Sequence, residues 1–185
     1  MRYIDQKFSQ NLKDGFTLIE LLVVISIIGL LSSVVMTTTS TARVKARTAK
    51  RVADLRQIQT ALELYYEDNN GYPNPGWGWR SECAAWGGLA ADQVIPGLVP
   101  TYLARFPSDP SMKISDNEAC YLYLSNGVDY TILDHNIAGA EGASFSYNSF
   151  PNLYDSTRDG GSNPCTIESA SFWSWKVGTP GGRCW

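Results

Sequence analysis

Histidine is nearly absent, with His135 alone among 185 residues, and no Cys-x-x-Cys pair, phosphate-binding glycine loop or dinucleotide fingerprint occurs. His135 therefore has no defined nucleophile or metal partner, and reads as a loop or strand-end residue. Nothing in the chain points to an enzyme. An excess of charge of one sign is also missing, since 15 Lys and Arg face 18 Asp and Glu for a net charge of -3. Bulk charge thus gives no reason to expect a nucleic-acid partner. The cationic stretch from Arg43 to Arg56 lacks the interleaved aromatics that grip single strands, so its charges read as solvated or as meeting acidic residues on neighbouring chains. Proline and glycine are absent from residues 30–70, and nothing there stops a helix.

What stands out is an apolar run over residues 16–36, broken by Glu20. About 21 helical residues reach about 30 Å, the hydrocarbon thickness of a bilayer. An acid in such a span costs at least about 2.5 kcal/mol near the bilayer centre and calls for a partner. No small-residue cleavage site of the secretory type follows the run, so the segment is expected to remain in the mature chain. Arg43, Lys45, Arg47, Lys50 and Arg51 follow it, while Arg2, Lys7 and Lys13 precede it. Counting cations alone would place the C-terminal side in the cytoplasm.

Lys13-Asp14-Gly15 leads without a gap into Phe16-Thr17-Leu18-Ile19-Glu20-Leu21-Leu22-Val23-Val24. This resembles the class III signal of type IV prepilins. The resemblance implies cleavage after Gly15 by the prepilin peptidase, N-methylation of Phe16, and a role in assembly for Glu20. It also implies an exported C-terminal domain, against the cation count. Loss of residues 1–15 removes Arg2, Lys7 and Lys13 with Asp5 and Asp14, moving the formal charge from -3 to -4. In a filament, a carboxylate one helical turn from the new terminus can meet the ammonium of a neighbouring subunit, and a buried pair of that kind sets register more than it adds stability. The competing reading is a plain signal anchor with an acid near one membrane face.

Beyond the apolar run, Val52, Leu55, Ile58, Leu62 and Tyr65 form a stripe at helical spacing, with Lys50, Arg51, Asp54, Arg56 and Gln57 assigned largely to the opposite face. Asp68-Asn69-Asn70-Gly71 before Pro73 marks the helix end. Thr37-Thr38-Thr39-Ser40-Thr41 is the weakest stretch. Many type IV pilins carry proline where Thr37 stands and are thought to melt nearby on assembly; without it, local melting and a continuous helix both stay open. From residue 71 onward, short strands and long loops are expected. Residues 119–125 and 129–133 flank the Asn126-Gly127 turn signal, a further strand covers 172–177, and 155–164 reads as an exposed loop. Asp116-Asn117-Glu118 reads as a solvated turn.

The predicted fold class is therefore α+β, one long N-terminal helix packed on a small antiparallel sheet with a loop-rich C-terminal region, which is pilin-like. Leu62-Glu63-Leu64-Tyr65-Tyr66 running into Gly71-Tyr72-Pro73, then Leu103-Ala104-Arg105-Phe106-Pro107-Ser108-Asp109-Pro110, is similar to the major pseudopilin of type II secretion and related pilins. Those pseudopilins bind calcium through a loop near the region aligned with Ser125-Asn126-Gly127-Val128-Asp129. The resemblance would thus make Ser125, Asn126 and Asp129 calcium ligands, with a plain hairpin turn as the alternative and no other cofactor expected.

Four cysteines, Cys83, Cys120, Cys165 and Cys184, all follow the anchor and suggest export with two disulfides. Three connectivities exist, of which Cys165 with Cys184 and Cys83 with Cys120 is favoured, and four free thiols is the alternative. The expected domains are a leader over 1–15, a membrane and assembly helix over 16–36, its amphipathic continuation over 37–70, and an exported sheet domain over 71–185. The expected function is a structural subunit of a type IV pilus-like filament, anchored in the bacterial inner membrane before assembly. Its partners would be copies of itself, other pilins, the prepilin peptidase and an inner-membrane assembly platform. The second reading is a pseudopilin of a type II secretion system, and the third a membrane-anchored binding domain that never polymerises.

Overall fold

A computed structural model describes residues 15–76, 78–141, 153 and 174–185, without the side chains of residues 34, 37, 38, 138, 139, 183 and 184. The chain divides into two compact units, residues 1–42 and 43–185. The first helix, α1, covers Leu18–Asn69 and is 52 residues long. It remains helical across the threonine-rich stretch, where Thr39 Oγ1 donates to the Val35 carbonyl at 2.7 Å. That back-bond satisfies a hydroxyl without interrupting the backbone ladder. The helix stops at Asn70, whose φ of 52° is a left-handed conformation that asparagine tolerates better than most residues.

Within the second unit, strands β1, Cys120–Ser125, and β2, Tyr130–His135, form the hairpin, followed by the short helix α2, Ile137–Glu141, and by β3, Trp175–Gly178. The sheet order is β1-β2-β3, antiparallel throughout, with Tyr121 opposite Asp134 and Asp134 opposite Trp175. Both hairpin strands are buried along their whole length. Covering both faces of a sheet in this way replaces alternation with continuous burial. One face carries Tyr121, Tyr123, Tyr130, Ile132 and Trp175 and packs with Leu55, Ile58 and Leu62 of α1. The other carries Cys120, Leu122 and Leu133, packed by Cys83, Trp79, Trp86 and Met112.

Two sequence assignments move. The β2 strand runs two residues past the predicted end at 133, because Asp134 and His135 still pair with Tyr121 and Cys120. His135 is its final residue and lies against the Trp86 ring at 4.6 Å between centroids. The third strand ends one residue past the predicted 177, at Gly178, where the backbone comes so close to Tyr130 that a Cβ would overlap its carbonyl. Gly182 meets the same carbonyl. The predicted loop over 155–164 and the start of the predicted third strand lie outside the described residues.

The assignment of Arg51 and Asp54 to a solvent face of α1 is wrong. Arg51 is fully buried because acids from distant segments meet it, and Asp54 nearly so because Lys50 and the Tyr121 hydroxyl bond it. Charge was read as exposure, and paired charges are the exception to that rule.

Candidate functional site

Thr17 and Glu20 form a reciprocal cap at the start of α1. The Thr17 backbone N–H and hydroxyl donate to Glu20 Oε2 at 2.8 and 2.7 Å, and the Glu20 N–H donates to Thr17 Oγ1 at 3.3 Å. This is a capping box, which satisfies helix-terminal amides that would otherwise lack partners. Sequence reading singled out Glu20 and missed Thr17, although threonine three residues before glutamate at the head of an apolar run carries that signal. The carboxylate thus has local donors, while Phe16 and Leu18 beside it are 87% and 88% exposed. No side chain or backbone lies within 4 Å of a Cβ placed on Gly15.

The exposed surface of this unit is apolar on every side of the helix, from Leu18 through Val24 to Leu31 and Met36. Its hydroxyls turn inward, with Ser26 donating to the Val23 carbonyl and Ser33 to the Leu30 carbonyl, each at 2.8 Å. A helix that is apolar all round and self-satisfied in its polar groups suits an apolar surrounding. Among the described residues no helix is long and apolar enough to cross a membrane, with the side chain of Val34 outside that description.

The proposed calcium ligands form a closed turn. Asn126 Oδ1 accepts the Val128 and Asp129 N–H groups at 2.9 and 2.7 Å, and Ser125 Oγ accepts the Gly127 N–H at 3.0 Å while donating to the Asp129 carbonyl at 2.9 Å. Asp129 Oδ1 accepts the Gly181 N–H at 3.2 Å. Calcium takes six to eight converging oxygens. Here Ser125 Oγ, Asn126 Oδ1 and Asp129 Oδ1 each accept an amide of the turn or of the C-terminal segment. Among the described residues no cluster of three or more His, Cys, Asp or Glu could hold a metal.

Cys83 and Cys120 form a disulfide with Cα atoms 6.2 Å apart. Cys165 and the Cys184 side chain lie outside the described residues.

A buried ionic cluster centres on Arg51. Its Nε donates to Asp109 Oδ2 at 2.5 Å, and Nη2 donates to Asp109 Oδ1 at 3.2 Å, to Ser111 Oγ at 2.5 Å and to Glu141 Oε1 at 2.5 Å. Asp134 Oδ2 lies 3.5 Å from the same Nε. Arg47 donates from Nε to Glu141 Oε1 at 2.6 Å and from Nη2 to Oε2. Lys50 bonds Asp54 Oδ2 at 2.5 Å, which also accepts the Tyr121 hydroxyl at 3.0 Å. Burial pulls the Arg51 guanidinium down, but its acidic partners, Asp109 first, more than offset it and hold it firmly protonated. Burial opposes the Glu141 charge too, yet the two arginines keep its carboxyl below the ordinary range.

Residues 11–36 match the prokaryotic N-terminal methylation motif family. The chain is similar to the type II secretion system core protein G of Escherichia coli (strain K12), 39% identical over 98 residues that cover 52% of this chain and 65% of that one. It is also similar to the core protein G of Pectobacterium carotovorum subsp. carotovorum, 36% identical over 98 residues covering 52% and 60%. With the core protein G of Vibrio cholerae serotype O1 it shares 33% identity over 141 residues, covering 69% of this chain and 81% of that protein. The chain belongs to the type IV pilin and pseudopilin family. It spans less than two-thirds of the length of the Escherichia coli and Pectobacterium relatives. No solved structure matches it. As a pilin-family fold it has the expected α+β order, a long N-terminal helix and then a small antiparallel sheet.

Proposed function

We propose that this chain is a pseudopilin, a structural subunit that polymerises within a type II secretion apparatus. The observation that carries this reading is similarity to core G proteins that continues well past the N-terminal motif, over 141 residues in the Vibrio cholerae relative. It favours secretion, the reading that sequence alone placed second to a pilus. In this proposal residues 1–15 are a leader removed after Gly15, and Phe16 is N-methylated. Residues 16–36 lie in the inner membrane before assembly, residues 37–70 continue the helix, and residues 71–185 are exported.

Glu20 then pairs with the N-terminal ammonium of a neighbouring subunit when apolar helices bundle. Removing either charge from water alone is costly, so the pair fixes axial alignment. No bond chemistry is required of the subunit. Its partners are copies of itself, related pilins, the prepilin peptidase and the membrane assembly platform.

Two measurements test the reading. The mass of the native N-terminus should correspond to a methylated chain beginning at Phe16, and an intact Met1 would remove the proposal. Glu20→Leu should reduce filament yield at least tenfold with the subunit still present in the membrane; unchanged yield would remove Glu20 from assembly. Cells lacking the chain should lose export of folded proteins. Loss of surface filaments with export intact would instead establish the pilus reading.

A further inference from the structure

We propose that Asp134 is a proton-holding site, protonated in the folded chain at neutral pH and donating to Asp109, so that the cluster around Arg51 is charge-balanced only with that proton bound. The inference is independent of what the filament does. Its basis is a count of partners. Glu141 is matched by Arg47, and Asp54 by Lys50 with the Tyr121 hydroxyl. Among the described residues Arg51, which also reaches Glu141, then supplies one positive charge for the two carboxyls of Asp109 and Asp134, all three side chains being fully buried.

The two carboxyls are not equivalent. Asp109 receives both donors of a forked guanidinium contact, the Ser111 N–H at 2.6 Å and the Ser111 hydroxyl at 2.8 Å. Four donors identify it as the ionised member. Asp134 receives none: neither of its oxygens has a hydrogen-bond partner among the described residues, and its nearest cation is Arg51 Nε at 3.5 Å. A buried carboxylate in that position would be uncompensated, whereas a carboxylic acid gains a bond to Asp109 and loses its charge. Two carboxyls sharing one site leave one of them holding a proton.

The groups facing Asp134 are Arg51 and Asp54 from α1, Asp109 from the loop before β1, and Tyr121 and Trp175 from the flanking strands. Glu141 of α2 reaches the cluster through Arg51. Burial first, and the Asp109 charge second, push the Asp134 carboxyl well above its usual range against the pull of Arg51.

The sign follows from linkage. A carboxyl held protonated in the fold contributes fully below the ordinary aspartate value of about 3.9, and its contribution falls as pH rises toward the folded value. Asp134→Asn cannot ionise and should remove that decline. In the full-length chain in detergent, wild type at pH 7 should show the infrared carbonyl stretch of a protonated carboxyl, and Asp134→Asn should lose it. The same variant should unfold at a Tm about 2–4 °C higher than wild type at pH 8 and level with it at pH 4.

Asp109→Asn provides a second arm, since without its acceptor Asp134 becomes the carboxylate of Arg51 and the band should again vanish. Absence of the band in wild type at pH 7 would overturn the proposal. So would a band that persists in both variants, or a lower Tm for Asp134→Asn at pH 8.

Discussion

At Glu20 and Glu63, two acids on α1 acquire different behaviour from their immediate neighbours. Glu20 holds the Thr17 amide and hydroxyl at the head of the helix. Glu63 accepts the Tyr72 hydroxyl on both oxygens, at 3.2 and 3.0 Å, and the Tyr130 hydroxyl at 3.3 Å. Burial and then this bond push the Tyr72 phenol up to about 12. Stability drawn from Tyr72 is therefore complete below the ordinary phenol value of about 10, and is lost as pH rises through the folded value. Glu63→Gln should lower the pH at which Tyr72 ionises, read as tyrosinate absorbance in an alkaline titration and assigned by difference from Tyr72→Phe. An unchanged curve would mean that burial alone sets it. The N-terminal methylation motif over residues 11–36 was legible because its signal is local and contiguous. Arg51 was not, since the Asp109 and Glu141 groups that make its burial tolerable lie 58 and 90 residues away.

Among the elements, the hairpin was the easiest to read, because Asn126-Gly127 and the apolar runs around it reinforce one another. The asparagine also closes the turn, its Oδ1 accepting the Val128 and Asp129 N–H groups. The cover on the far face of the sheet had no periodic signature at all. It is a loop, held by the Cys83–Cys120 link and by the Arg80 backbone, whose N–H and carbonyl pair with Tyr123 at 2.9 Å each. The cystine closes a separation of 37 residues, which in the chain-entropy description stabilises the fold by about 4 kcal/mol. Cys83→Ser with Cys120→Ser should lower stability by roughly 2–5 kcal/mol in denaturant unfolding, with Trp86 fluorescence changing as its packing on His135 loosens. Stability within about 0.5 kcal/mol of wild type would show that the cover packs without its link.

At the scale of the molecule, the two units differ in where their apolar residues lie. Residues 18–36 present apolar surface throughout, whereas the second unit buries its apolar residues on both faces of a sheet. That contrast was visible in composition; the boundary between membrane and exported parts remains part of the proposed function. Gly15→Leu should block leader removal, leaving a chain heavier by its first 15 residues and no filaments, as judged by mass and electron microscopy. Filaments built from the uncleaved chain would contradict the processing step. The stretch between α2 and β3 matched no sequence pattern, yet Leu153 within it packs against the core and its carbonyl accepts the Lys176 N–H of β3 at 2.6 Å. Glu141 is fastened to Arg47 and Arg51 on one side. On the other, Trp175 and Gly178 rejoin β2, at a point where the backbones abut too closely for any side chain. Gly178 is therefore a lock on register: any side chain there would have to push β3 away from β2.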